Sequence, residues 1–311
     1  MVDTLCMHPR ALMRRTLRVG NVIESIKKPG SDIQVYGPLL RNLRSELGSD
    51  AVFDAFGYDW RLSNMDSATE LARFMANKVA AGIDRFLIIA HSMGGVVARL
   101  AFRDPRNSDL LRRVSGYVQI ATPVRGSSRA YESLKRGPSL NPVFDRVRSA
   151  INRVAPLKLH DLLESMSGCH SLFQLLPPPD DRILAKESGL NASAFEPGVW
   201  PPQYDTAVEA AKSVHRDLQA TPTCPHVTIL SNGISTTYRY LVDMDFDIIR
   251  AFAGAGGDGT VCEHSASAGS DAGAVKTLNA PVAHDQLPNR ASVFDIIVKE
   301  GWLGTRSGTG T

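Results

Sequence analysis

The chain has 311 residues, 43% of them hydrophobic, and its 35 basic against 32 acidic side chains give a formal charge of +3. That balance argues against a nucleic acid as partner, and no window approaches the roughly 18 to 20 apolar residues of a membrane span. The length suits one large α/β domain with an inserted subdomain, or two smaller domains, and allows a large core in either case.

The opening stretch, MVDTLCMHPRALMRRTLRVG, carries basic residues where a secretory signal needs an unbroken apolar run. Cys6, Cys169, Cys224 and Cys262 are scattered and form neither a C-x-x-C pair nor a dense framework. Together these features predict a reduced, cytoplasmic protein, provided Met1 is the true start.

VYGPLLRNLRSELG, residues 35–48, places Leu39, Leu40, Leu43 and Leu47 on one helical face, with Pro38 in the first turn and Gly48 as the stop. AVFDAF at 51–56 reads as a short strand. SATELARFMANKVAAG at 67–82 reads as a helix, opened by a Ser67–Glu70 capping box and ended by Gly82. FLIIA follows as a buried strand, then a helix from Met93 to Phe102, then the strand VSGYVQIAT at 114–122. This alternation predicts an α/β fold: a mostly parallel sheet with helices on both faces.

From 124 to 222 the rhythm breaks into mixed helical and Pro-rich segments, among them LLPPPDD and EPGVWPPQY. The stretch is too long for a loop and is expected to be an inserted cap, leaving 1–123 and 223–303 as the core. HVTILSNG resumes the strand pattern, TTYRYLVDMDF suggests a hairpin, AVKTLN a last strand and ASVFDIIVKEG a last helix. Residues 304–311 are expected to be a disordered tail, and no internal repeat is visible.

Within this pattern, LIIAHSMGGVVAR at 87–99 puts Ser92 where a buried strand turns directly into a helix. Such a turn forces the serine into a strained conformation that lifts its hydroxyl clear of the sheet, and Ala90 and Gly94 leave room for it. The same turn aims the Met93 backbone amide, at the helix N-terminus, toward a developing oxyanion. A serine needs a histidine to take its proton and a carboxylate to orient that histidine. GGDGTVCEHSA at 256–266 supplies Asp258 in a glycine-rich turn, and NAPVAHDQLPN supplies His284 in a loop after the last strand. His264, Asp285, Asp243, Asp245 and Asp247 are competing candidates. A plainer alternative is that Asp258 only shapes its turn and His284 is a surface histidine.

GYDWRLS at 57–63, AHSMGGVVAR, IATPVRGS at 120–127, FQLLP at 173–177, GDGTV at 257–261 and AHDQLP resemble the lecithin:cholesterol acyltransferase family from about Val35 onward. The resemblance implies the α/β-hydrolase fold with an inserted cap, Ser92 as nucleophile, Asp258 as acid and His284 as base. It departs from the usual Gly-x-Ser-x-Gly in having Ala90 at the first position. Tyr58, Asp59, Trp60 and Arg61 would lie at the carboxyl edge of the sheet, beside the serine. An Asp59–Arg61 pair locking a turn over a packed Trp60 is the favoured reading there, ahead of substrate contact.

The cap would contribute the acyl-binding surface. VWPPQY is either a lipid-facing segment or a packed loop. The basic residues Arg125, Arg129, Lys135, Arg136, Arg146, Arg148 and Arg153 form either a solvated face or an attraction for anionic headgroups of a lipid surface.

The family's first apolar strand and its Pro-Gly loop have no counterpart before Val35; LRVGNVIESIKKPG is the nearest candidate. The expectation is a sheet without that strand, an oxyanion site without its second donor, and a reading frame that begins upstream or a truncated copy. The expected activity is acyl transfer from a lipid-like ester to water or an alcohol, without metal or cofactor. The alternatives are a catalytically silent hydrolase-like module and a thioesterase or amidase using the same triad.

Overall fold

A computed structural model of the chain describes residues 22–26, 33–47, 51–136 and 169–303. Cys6, Gly48, Arg146, Arg148, Arg153 and the 304–311 tail lie outside these residues. The short strands β1 (Ser25–Ile26) and β2 (Ile33–Gln34) pair antiparallel ahead of helix α1 (Gly37–Glu46). There follow α2 (Asn64–Ala80), β3 (Phe86–His91), α3 (Met93–Arg103), β4 (Val114–Ile120) and α4 (Ser128–Arg136). After residue 168 come β5 (Leu184–Lys186), β6 (Asn191–Ala192), α5 (Asp205–Leu218), β7 (His226–Ser231), β8 (Ile234–Val242), β9 (Ile248–Gly257), β10 (Val275–Leu278) and α6 (Ala291–Lys299).

The central sheet has the order β10-β7-β4-β3, every pair parallel. Helices cover both faces, because successive residues of a strand point opposite ways. Tyr117 of β4 packs with Leu71 and Met75 of α2, Val96 and Leu100 of α3, and Val214 and Leu218 of α5. Val118 and Ile120, with Val227 and Ile229 of β7, pack against Leu39 and Leu43 of α1 and Val293 and Ile297 of α6. The expected α/β architecture is the one observed.

A second, mixed sheet has the order β6-β5-β8-β9 and a core of its own around Tyr131, Phe173, Leu184, Tyr240 and Phe246. Helix α5 joins the two cores: Ala207, Val208 and Ala211 lie in the second, Val214 and Leu218 in the first. No described helix is long and apolar enough to cross a membrane.

Three local expectations are corrected. Residues 51–56 are not a strand: no ladder joins them to the free edge of β3, whose only strand partner among the described residues is β4. Helix α2 starts at Asn64, not Ser67, and Ser67 is buried inside it, so there is no Ser67–Glu70 capping box. The Ser63 hydroxyl accepts from the Met65 amide at 3.2 Å. The Gln174 side chain donates to Ser63 Oγ at 2.8 Å and accepts from the Asn64 amide at 2.7 Å, so a residue 110 positions away sets the helix start. β4 also stops two residues early, as Ala121 turns to φ 48°.

Behind the central sheet, Arg99 of α3 is 2% exposed, and among the described residues its hydrogen bonds go to neutral acceptors. Its Nε donates to Gln119 at 2.8 Å, Nη1 to the carbonyls of Leu218 (3.0 Å) and Ala220 (3.1 Å), and Nη2 to Gly269 O (3.0 Å) and Ser270 Oγ (3.2 Å). Burial pulls its pKa below the usual arginine value. Arg99→Met, which keeps the apolar stem, leaves these acceptors unpaired and is expected to lower stability by about 3 kcal/mol, read as a lower urea midpoint at unchanged slope.

Candidate active site

Strand β3 ends and helix α3 begins with only Ser92 between them. Ser92 has φ 54° and ψ −127°, a region an L-residue occupies only under constraint. Its amide still donates to Ile120 O of β4 at 2.9 Å, so the ladder holds the turn from one side. A Cβ added at Gly95 would lie 1.9 Å from Thr122 Oγ1, so only glycine lets α3 start this close to the end of β4. Gly94, singled out from sequence, is less crowded: a Cβ there would lie 4.0 Å from Ala90 Cβ and from the Tyr58 hydroxyl. Met93 is the first residue of α3, where backbone N–H groups are free of helical partners.

Asp258 follows the last residue of β9 and is 3% exposed. Its Oδ1 accepts the amides of Thr260 (2.9 Å) and Val261 (2.8 Å), the glycine-rich turn folding back on the carboxylate. Its Oδ2 meets His284 Nδ1 at 2.7 Å, and His284 Nε2 meets Ser92 Oγ at 2.7 Å. Burial alone would raise the Asp258 pKa, but the His284 imidazole and the two amides outweigh it and hold the carboxyl below its usual value. Three residues from three loops thus form one hydrogen-bonded chain.

The competing candidates lie elsewhere. His264 is exposed on the short helix Glu263–Ser267, and Asp285 faces out toward Gln286. Asp243 accepts the amides of Asp245 (3.1 Å) and Asp247 (2.8 Å) in the turn between β8 and β9. Among the described residues no group of three or more His, Cys, Asp or Glu side chains is arranged to hold a metal ion.

The other motifs knit the surroundings together. Arg61 Nε donates to Asp59 Oδ1 at 2.7 Å and its Nη2 to Oδ2, locking the turn, while the Ser171 hydroxyl bonds Trp60 O. The Arg61 side chain, hydrogen-bonded first of all, keeps the Asp59 carboxyl below its usual value. Tyr58 stacks on Phe56, and burial raises its phenol pKa. IATPVRGS meets FQLLP where the Ser127 amide donates to Leu175 O at 2.8 Å.

Trp200 of VWPPQY packs edge-on to Tyr131 and Phe173 and donates to Ala194 O at 2.7 Å, as a packed loop does. Arg125 pairs with Asp180 (2.9 Å) and Asp181 (2.7 Å), Lys135 lies over the Trp200 ring, and Arg136 bonds Ile248 O, so these three charges are engaged within the fold.

Two residues of the site carry no expectation from sequence. His91, the last residue of β3, holds its ring tilted against that of His284 at 4.8 Å, and Tyr36 meets it edge-on at 5.7 Å. A histidine immediately before the serine was the available signal, inside the very motif that identified Ser92.

Residues 24–189 match the family described as Lecithin:cholesterol acyltransferase. No curated relative matches the sequence. Among solved structures, the Tle4–Tli4 complex aligns at 13% identity and TM-score 0.52, covering 78% of this chain and 68% of that one. Est816, described as an N-acyl homoserine lactone degrading enzyme, aligns at 13% identity and TM-score 0.33 (77% and 74%). An esterase from Thermogutta terrifontis aligns at 13% identity and TM-score 0.36 (92% and 98%). The first likeness is one of fold.

Burial, and next the neighbouring His284, push the His91 pKa from 6.5 down to about 3. The unfolded chain protonates His91 near pH 6.5 while the folded chain holds out to about 3, so this site's stability is full above 6.5 and falls as pH drops toward 3. Between pH 7 and pH 5 wild type is expected to lose about 2 kcal/mol through His91, and His91→Gln to escape that part of the loss, measured by denaturant titration at both values.

Proposed function

The chain belongs to the lecithin:cholesterol acyltransferase family, and on that premise we propose that it is a serine-dependent acyl-ester hydrolase or O-acyltransferase acting on lipid-like esters. The observation that carries the proposal is the chain of two 2.7 Å contacts, Asp258 to His284 and His284 to Ser92. In this reading Asp258 accepts the Nδ1–H of His284, leaving Nε2 as the base that faces the Ser92 hydroxyl.

As Ser92 Oγ bonds to the ester carbon, its proton passes to His284 Nε2, and the Asp258 carboxylate stabilises the imidazolium. The carbonyl oxygen becomes an oxyanion beside the Met93 amide at the start of α3, where the helix dipole favours negative charge. Collapse breaks the ester C–O bond, and His284 returns the proton to the departing alkoxide. Water or an acceptor alcohol then attacks the acyl-enzyme by the same proton route in reverse. No step needs a metal or cofactor.

Residues 1–123 and 223–303 are the catalytic core in this proposal and 124–222 the cap that shapes the acyl site, with β5 of the cap segment paired to β8 in the second sheet. Tyr58, Asp59, Trp60 and Arg61 support the edge of the site, the Asp59–Arg61 pair holding their turn.

Ser92→Ala is expected to abolish both p-nitrophenyl ester hydrolysis and covalent labelling by a fluorophosphonate; persistence of either removes Ser92 as nucleophile. Asp258→Asn, which reverses the hydrogen-bonding sense at Nδ1, is expected to lower kcat by about 10⁴-fold. The edge of β3 that has no strand partner among the described residues favours a second reading, a catalytically silent module, and the same labelling decides against it if Ser92 reacts. Parallel assays with an acyl-thioester and an anilide separate ester from thioester or amide chemistry.

A further inference from the structure

His284 sits in a loop between β10 and α6, outside any strand or helix, yet both its main-chain groups are tied. Its N–H donates to Asp258 O at 3.0 Å, and its carbonyl faces His91 Nε2 at 3.1 Å. A carbonyl only accepts, so the His91 proton is on Nε2. His91 Nδ1 is then the acceptor for the Tyr36 hydroxyl, 2.9 Å away. The relay therefore runs one way, from the Tyr36 hydroxyl through a neutral imidazole to the carbonyl of the residue whose ring faces Ser92.

The far end of the relay is held as well. Asn289, in the turn just after the His284 loop, donates to Val35 O at 2.7 Å and accepts the Leu39 amide at 3.5 Å. Tyr36 is thereby docked against the segment whose carbonyl it helps to orient, and the contacts close into a ring: Val35–Tyr36, His91, His284, Asn289. One member of that ring, His91, is covalently bonded to Ser92. The loop carrying the imidazole is thus referenced to the serine through a single residue, and a shift of either is felt by the other.

We propose that His91, backed by Tyr36, is a positioning residue that sets the place of the His284 imidazole relative to Ser92. This rests on Ser92 and His284 being nucleophile and base as proposed above. A purely space-filling role would be met by any flat ring between Tyr36 and His284. A positioning role requires the Nε2–H donor, which glutamine can offer and phenylalanine cannot.

The test compares wild type, His91→Phe and His91→Gln for kcat and KM on a p-nitrophenyl ester, for thermal midpoint, and for the downfield NMR signal of the proton between His284 and Asp258. His91→Phe is expected to lower kcat by about ten- to a hundredfold with KM within about twofold, since ångström-scale misplacement of a base costs rate, not binding. His91→Gln is expected to recover to within about fivefold of wild type. The downfield signal should shift or broaden in the phenylalanine variant and return in the glutamine variant.

An unchanged kcat and an unchanged signal in His91→Phe would overturn the proposal, as would equal losses in both variants. If His91→Phe does not fold, Tyr36→Phe decides: a several-fold fall in kcat at unchanged KM supports the relay, and wild-type kcat sinks it. If Ser92→Ala keeps its activity, the nucleophile assignment fails separately, and the NMR comparison, which needs no turnover, still decides whether His91 places the His284 ring.

Discussion

The backbone at Ser92 is held in a conformation that the residue would not choose, and the rest of the architecture is arranged so that it has no alternative. Strand β3 delivers it, the Ile120 carbonyl fixes its amide, and α3 must begin at once because Gly95 lies hard against Thr122. Strain of this kind, on the order of 1–3 kcal/mol, persists only where the surroundings determine the geometry more than once. Here they do so through a parallel ladder, a glycine contact and a helix. The consequence is chemical: the hydroxyl stands at the carboxyl edge of the sheet, where loops from other strands converge.

Parallel topology explains that convergence. Every strand of the central sheet points its carboxyl end the same way, so the turns after β3 and β4 and the loop after β10 open onto one edge. Asp258 arrives by another route, at the end of the β8–β9 hairpin that leaves β7 and belongs to the second sheet. The His284 amide on Asp258 O then ties the β10 loop to that hairpin before any side chain is considered. Asp258 can be buried as an anion because two amides and an imidazole receive its charge; a buried carboxylate without them would be protonated or would drive the turn apart. The depressed pKa of the carboxyl and the short contact to Nδ1 are two consequences of the same arrangement.

Much of this was legible in the sequence wherever a signal was local. The apolar run before Ser92, the helix after it, the glycine-rich turn around Asp258 and the alternation of strands and helices are patterns of neighbouring residues, and the fold carries them close to where they were expected. What was not legible depends on partners far along the chain. Ser63 rather than Ser67 caps α2 because Gln174 reaches across to it. AVFDAF has the composition of a strand, but composition alone makes none, and among the described residues it forms no ladder with β3 or any other strand. The crowded glycine is Gly95, not Gly94, since the obstacle is Thr122 from the next strand and not Ala90 from the same turn. His91 was visible as a letter; its role needed Tyr36 and His284 on either side of it.

Arg99 shows how a strained turn is secured from behind. It lies seven residues after Ser92, two helical turns down α3, and its guanidinium reaches the carbonyl end of α5 at Leu218 and Ala220 and the loop at Gly269 and Ser270. A buried cation without a carboxylate is costly unless its donors are all used, and the planar fork of arginine allows that where a lysine ammonium would not. The carbonyls at the end of α5 carry the negative end of that helix's dipole, so part of the charge is answered without a formal anion. Because α5 also carries Ala207, Val208 and Ala211 into the second core, the same guanidinium couples the helix that starts at Ser92 to the part of the molecule proposed to shape the acyl site. Helix α3, which begins directly after the serine, is thus fixed at both ends: by Gly95 against Thr122 at its start and by Arg99 on α5 and the 269–270 loop two turns on.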